Sequence, residues 1–265
     1  MLKACSATYQ VGEKALVANV DLTLRPGAFV AIIGPNGAGK STLLRLLSGE
    51  LRPTSGAIEL DGRTIGSYEP AQLARRRAVV PQATALSFPF TAREVVLLAA
   101  TVPGFVAPSA KIDRTASECL RTVGLLGIAD RLYTHLSGGE RQRVHIARAL
   151  LQLAMADRDA REPSILMLDE PTASLDLAHQ GLILAEARRQ ARGGRAVLAV
   201  LHDLNLAAAF ADELVLMSAG RIVIVGAAGD VLRDDVLSRA YGCDIRTNTT
   251  PAPGTPFVLP HAARN

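Results

Sequence analysis

The sequence predicts an α/β fold built on a central parallel sheet. Three short apolar runs carry the prediction: 'FVAII' (Phe29 to Ile33), 'SILML' (Ser164 to Leu168) and 'AVLAVL' (Ala196 to Leu201). None alternates apolar with polar residues, which is how strands buried on both faces read. Segments of helical period separate them. Each run also ends in polar residues, respectively a Gly-rich loop, Asp169-Glu170 and His202-Asp203. That places the chemistry at strand C-termini, where open α/β sheets bind their ligands.

In chain order, the first 30 residues read differently. 'LVANVDLTL', the turn 'RPG' and the later 'GAIELDG' (Gly56 to Gly62) predict short strands, hence an antiparallel flap beside the main sheet. Residues 83–150 are mostly helical in pattern and predict an inserted helical subdomain that includes 'TASECLRTVGLL'. Within it, 'VVLLAATVPGFVAP' (Val95 to Pro108) is too short for a membrane span and is broken at Pro103-Gly104, so it predicts a buried helix and a turn. From Gly229, 'GDVLRDDVLSRAYG' predicts one further helix. The main domain is expected to span 1–242, and the Pro-rich residues 243–265 to form a tail.

With 265 residues, 49% of them hydrophobic, the chain has material for one substantial core. Cys5, Cys119 and Cys243 are odd in number and far apart, which disfavours a disulfide framework or a zinc site and fits a reducing setting. A net charge of +4 is too slight to imply nucleic acid. Arg75, Arg76 and Arg77 read as a solvated helix end. No signal peptide or membrane span is legible.

'GPNGAGKS' satisfies G-x-x-x-x-G-K-[ST] between a strand and a helix. Its backbone amides can wrap phosphates, so Gly34, Pro35, Asn36, Gly37, Ala38, Gly39, Lys40, Ser41 and Thr42 are the expected ATP-binding residues. Lys40 reaches the outer phosphates. Ser41 supplies a hydroxyl to Mg²⁺, and Asp169 is the second Mg²⁺-associated group. Glu170, next to it, is placed to polarise an attacking water. 'LSGGER' (Leu136 to Arg141) looks like a second phosphate cradle, although one nucleotide needs only one.

The motifs 'GPNGAGKST', 'VVPQ', 'LSGGE', 'ILMLDEPT', 'SLD' and 'LHD' resemble, in this order, those of ABC transporter ATP-binding subunits. The resemblance covers roughly Ala4 to Gly242. It implies a P-loop NTPase fold of the ABC ATPase type, with a mainly parallel core sheet, an N-terminal antiparallel β subdomain and a helical insert. It also implies roles that spacing alone cannot assign. Tyr9 stacks on adenine, Gln82 senses Mg²⁺ and the membrane partner, and His202 holds the γ-phosphate. Ser137, Gly138 and Gly139 face the nucleotide of a second, head-to-tail copy, and Asp176 links the two sites. Glu140 departs from the family's usual Gln, and its side chain is expected to point away from phosphate. His135, His145 and His179 are assigned surface or helix-packing roles.

'SFPFTAREVV', 'HDLNLAAAFAD' and above all 'LDLAHQ' (Leu175 to Gln180) are similar to the ATPases of metal-chelate importers, and within them of haem (hemin) importers. A long stretch before Asp169, 'LLQLAMADRDAREPSILMLDE', agrees. The implied partners are a separate permease dimer in the bacterial inner membrane, gripped from its cytoplasmic face around Gln82 to Phe90, and indirectly a periplasmic haem-binding protein. Ferric siderophore and cobalamin are the alternative cargoes. A soluble relative acting on nucleic acid is disfavoured, because Lys40 and Ser137 are too close for an intervening coiled coil. A non-hydrolysing sensor is disfavoured by Glu170 and His202.

Overall fold

The computed structural model describes residues 1–82, 88–156 and 164–250, with Pro256 and Val258. Its strands are β1 (Leu2–Val11), β2 (Lys14–Leu24), β3 (Phe29–Ile33), β4 (Ser55–Leu60), β5 (Arg63–Thr64), β6 (Arg77–Val80), β7 (Ile165–Asp169), β8 (Ala196–Val200), β9 (Glu213–Ser218) and β10 (Arg221–Gly226). Its helices are α1 (Lys40–Leu47), α2 (Pro70–Arg76), α3 (Ala92–Leu97), α4 (Ser109–Thr122), α5 (Gly138–Ala156), α6 (Leu177–Arg192), α7 (Leu204–Phe210), α8 (Ala228–Val231) and α9 (Asp234–Tyr241).

The main sheet runs β10-β9-β3-β8-β7-β6, parallel throughout except for the edge strand β10. Every residue of β3, β7 and β8 is buried. Their alternation divides the core in two. Phe29, Ala31 and Ile33 face the layer formed by α3 to α7, whereas Val30 and Ile32 face α1 and the second sheet. That second sheet, β2-β1-β4-β5, is the antiparallel subdomain expected from the first 60 residues. Each fully buried Leu or Ile in these layers contributes roughly 2 kcal/mol of transfer free energy.

The helical insert begins with a sequence-encoded cap. Thr91 Oγ1 accepts the Glu94 amide at 3.2 Å while the Glu94 carboxylate accepts the Thr91 amide at 2.7 Å. Val95 and Val96 of α3, Leu120 of α4 and Val144 of α5 then share one core. The buried helix expected at Val95 to Pro108 is α3 continued by a 3₁₀ turn, Leu98–Thr101. Among the described residues no helix is long and apolar enough to cross a membrane.

Two local expectations change. The segment from Gly229 forms two helices, because Arg233 is extended (φ −110°, ψ 145°). Asp234 and Asp235 open a new first turn, where carboxylates favour the helix dipole, and Asp234 also accepts the Thr247 amide at 2.7 Å. The arginine run ends α2 and begins β6, half-buried instead of solvated, with Arg76 donating to Asp61. The stretch 157–163, within the long segment before Asp169, and residues 83–87 lie outside the described residues.

His145 on α5 is only 2% exposed, and its Nε2 lies 2.7 Å from the Tyr133 hydroxyl. Burial, assisted by the Arg148 charge, pushes its pKa down to about 4, from the ordinary value of about 6.5. The native state therefore binds fewer protons than the unfolded chain between these values, and stability falls as pH drops through that window. Urea titrations at stepped pH are expected to show this slope, and His145→Gln is expected to flatten it.

Candidate functional site

The loop after β3 leaves the sheet in a conformation that only glycine permits. Gly34 has φ 141°, and a Cβ there would lie 2.1 Å from the Met217 carbonyl oxygen. Gly39, at φ 95°, is pressed equally closely against the Leu16 carbonyl. The loop is thus clamped between β9 and β2. Lys40, the first residue of α1 and 6% exposed, folds back and donates to the carbonyls of Gly34 (2.8 Å) and Pro35 (2.9 Å). Burial lowers its pKa, opposed by the charges of Glu170 and Asp169. A cation is thereby held within a ring of backbone groups facing the N-terminus of α1, a ready anion site.

Asp169, the last residue of β7, is 6% exposed and accepts the Ser41 hydroxyl at 2.9 Å. Burial raises its pKa, against the Ser41 hydrogen bond. A buried carboxylate beside a hydroxyl at the mouth of a phosphate loop is a hard-oxygen pair that fits Mg²⁺. Among the described residues no three His, Cys, Asp or Glu groups cluster to hold a metal, so the rest of its shell would come from phosphate and water.

Glu170 follows at φ 50°, a left-handed conformation that costs a non-glycine residue about 1 kcal/mol. Its carboxylate is gripped from two other strands. Oε1 lies 2.6 Å from His202 Nε2, beyond β8, and Oε2 accepts Gln82 Nε2 at 2.6 Å, beyond β6. Gln82, Glu170, His202 and the loop residues Asn36 to Thr42 line one cavity of about 620 Å³. Lys14 and Leu16 complete it; neither stood out in the sequence.

Tyr9 is not among the lining residues. It is half-buried, pairs with Val17 of β2 between two shifts of register, and packs in part against the core. The alternation that puts Val17 inward turns Leu16 and Lys14 to the cavity side.

Ser137 to Glu140 line a second cavity, of about 320 Å³, that shares no residue with the first. Ser137 opens α5 in a reciprocal cap. The Glu140 carboxylate accepts the Ser137 amide at 2.7 Å, and Ser137 Oγ accepts the Glu140 amide at 3.2 Å. The Ser137 backbone hydrogen bond holds the Glu140 carboxyl below the usual carboxylate range, and Arg131 stands 3.7 Å away. Glu140 is therefore folded back onto its own helix start, with the Ser137 hydroxyl beside its carboxylate. Gly139 lies where a Cβ would be 2.6 Å from the Ser174 carbonyl, so the 'SLD' segment abuts the cradle.

Asp176 caps α6 through the His179 amide (2.9 Å) and also contacts His179 Nδ1 (2.7 Å). The His179 amide is the main cause that lowers the Asp176 pKa. His179 lines this cavity with Asp176, which the sequence reading missed; its place three residues after an N-cap aspartate was the available signal. His135 is exposed, as expected.

The sequence profile of the ABC transporter family matches residues 17–173. The hemin import ATP-binding protein HmuV of Rhodopseudomonas palustris is 49% identical over 263 residues, covering 99% of this chain and 95% of that protein. HmuV of Rhizobium meliloti is 44% identical, covering 99% of each. Among solved structures, the dimeric bacterial ABC transporter cassette MJ0796 aligns with a TM-score of 0.74 at 30% identity, covering 86% of this chain and 99% of that one. An ATP-binding subunit of an ABC transporter aligns with a TM-score of 0.76 at 28% identity, covering 89% and 94%.

Because the Gly34 contact is with backbone, a side chain there cannot be accommodated by rotation. Gly34→Ala is expected to weaken ATP binding by more than about tenfold and to cost roughly 2 kcal/mol of stability. Calorimetric titration and chemical denaturation of the variant check both.

Proposed function

The chain belongs to the ABC transporter family as an ATP-hydrolysing subunit, and from that premise we propose that it powers haem import through a separate permease, from the cytoplasmic face of a bacterial inner membrane. The observation that carries the mechanism is the presence on one chain of two unconnected half-sites. A head-to-tail dimer would complete both, and the alignment with a dimeric cassette supports that arrangement. The cargo reading rests on eight relatives named for hemin import, 43–49% identical over nearly the whole chain.

In this reading the loop amides and Lys40 hold the β- and γ-phosphates of ATP. Ser41 and Asp169 would hold Mg²⁺, with Gln82 sensing it, and the ion would offset phosphate charge. Glu170 takes a proton from the water whose oxygen attacks the γ-phosphorus, and the bond to the β–γ bridging oxygen breaks to give ADP and phosphate. His202 orients Glu170 through the 2.6 Å contact of its Nε2, and with ATP in place this donor would be shared with the γ-phosphate. Tyr9, half-buried ahead of the loop, would stack on the adenine.

Ser137, Gly138 and Gly139 of the second copy close over the same γ-phosphate, and their contacts vanish with it. The dimer therefore closes on ATP and opens on ADP. Asp176, beside the cradle, couples one site to the other. The domain that works this way spans 1–242, the helical insert occupying about 83–150 and residues 243–265 extending from it. The permease is gripped around Gln82 to Phe90, where Phe88 is exposed and Phe90 packs behind it on the core.

Glu170→Gln is expected to bind ATP, lower kcat by at least about 100-fold and accumulate an ATP-dependent dimer on size-exclusion chromatography. Turnover near the wild-type rate would remove Glu170 from its role. For cargo, the complex reconstituted with its permease is expected to hydrolyse ATP faster with a haem-loaded binding protein than with ferric-siderophore- or cobalamin-loaded ones. Stimulation by either of those instead would reassign the cargo.

A further inference from the structure

We infer that Lys14 is a nucleotide-binding residue that neutralises the α-phosphate at the end of the cavity remote from Glu170. This rests on the ATP reading of that cavity and extends it to a residue outside every recognised motif.

The first observation is placement. Gln82, Glu170 and His202 mark the end where the γ-phosphate lies, and the loop amides run back from there along Asn36 to Thr42. A further part of the wall is supplied by β2, through Leu16 and Lys14. Leu16 is held there by contact, since its carbonyl is pressed against Gly39. Strand alternation puts Lys14 on the same face as Leu16, while Val17 turns inward to the core.

Next, the side chain is presented by a defined backbone. Lys14 pairs with Val11 across the two-residue turn Gly12-Glu13, which opens on Gly12 at φ 58°, as a hairpin turn of this length requires. Charge completes the case. Lys40 and Lys14 are the two cations lining the cavity, and Lys40 is committed to the Gly34 and Pro35 carbonyls beside the outer phosphates. Among the described residues Lys14 has no ion-pair partner, so its ammonium is available to an anion. A triphosphate carries charge along its whole length, and the α-phosphate is the part that falls nearest β2.

ADP and ATP share the α-phosphate, which separates this role from a γ-phosphate contact. With the full chain, titration calorimetry in the absence of Mg²⁺ is expected to show Lys14→Ala weakening ATP and ADP by the same factor. That factor should be roughly three- to tenfold, the worth of one partly exposed charge-assisted hydrogen bond. Lys14→Arg should restore most of the affinity and Lys14→Glu should weaken it further. In steady state the KM for ATP should rise with little change in kcat. Unchanged affinities in Lys14→Ala, a loss confined to ATP, or no rescue by Arg would each overturn the inference. Absence of ATP binding by the wild-type chain would instead overturn the ATP reading itself.

Discussion

The Glu170 carboxylate is held by donors that arrive from two other strands, and this is possible only because four parallel strands end nearly level. Ile32 of β3 and Asp169 of β7 both stand opposite Val200 of β8, and Val80 of β6 stands opposite Leu168. A slip of one residue in any pairing would reverse the faces of that strand and withdraw its terminal group from the cavity. The continuous apolar character of β3, β7 and β8 resists such a slip, since both faces are covered and every position is buried. Core packing and catalytic geometry are therefore one constraint. The burial that sets the register also sets the distances from Glu170 to Gln82 and His202.

Much of this was legible in the sequence, and for a physical reason. Strands buried on both faces leave uninterrupted apolar runs, and a parallel sheet puts chemistry immediately after them, so Gly34, Asp169 and His202 could be read as one locus. The glycine-punctuated β1–β5 region was legible for a similarly local reason. What was not legible depends on which way side chains turn. Leu16 and Val17 are neighbours on β2 ahead of the same loop, and only strand alternation sends one to the cavity and the other to the core. Composition offered no signal for that difference. The break at Arg233 was hidden for another reason, since the partner that helps fix Asp234 at a helix start, Thr247, lies beyond the helix itself.

Glu140 shows how a local rule can settle a misfit that a family pattern raises. An acidic side chain beside a phosphate cradle is unfavourable if it faces the anion. Three residues after an N-cap serine, however, it is the preferred partner of the cap amide. The carboxylate is spent on the helix start and on Arg131. Glu170 is the opposite case, a left-handed glutamate with no relief of its own strain, held in place by its partners.

The two half-sites share no residue within the chain, and this has a hereditary consequence. In a homodimer a single codon change is expressed twice, so altering Lys40 damages both composite sites from one side, and altering Ser137 damages both from the other. A lesion in one half leaves the other half chemically intact, and two differently damaged alleles in one cell can therefore assemble a dimer with one good site. Selection on this polypeptide acts on the pair it forms, and neither cradle can drift without consequence for the other.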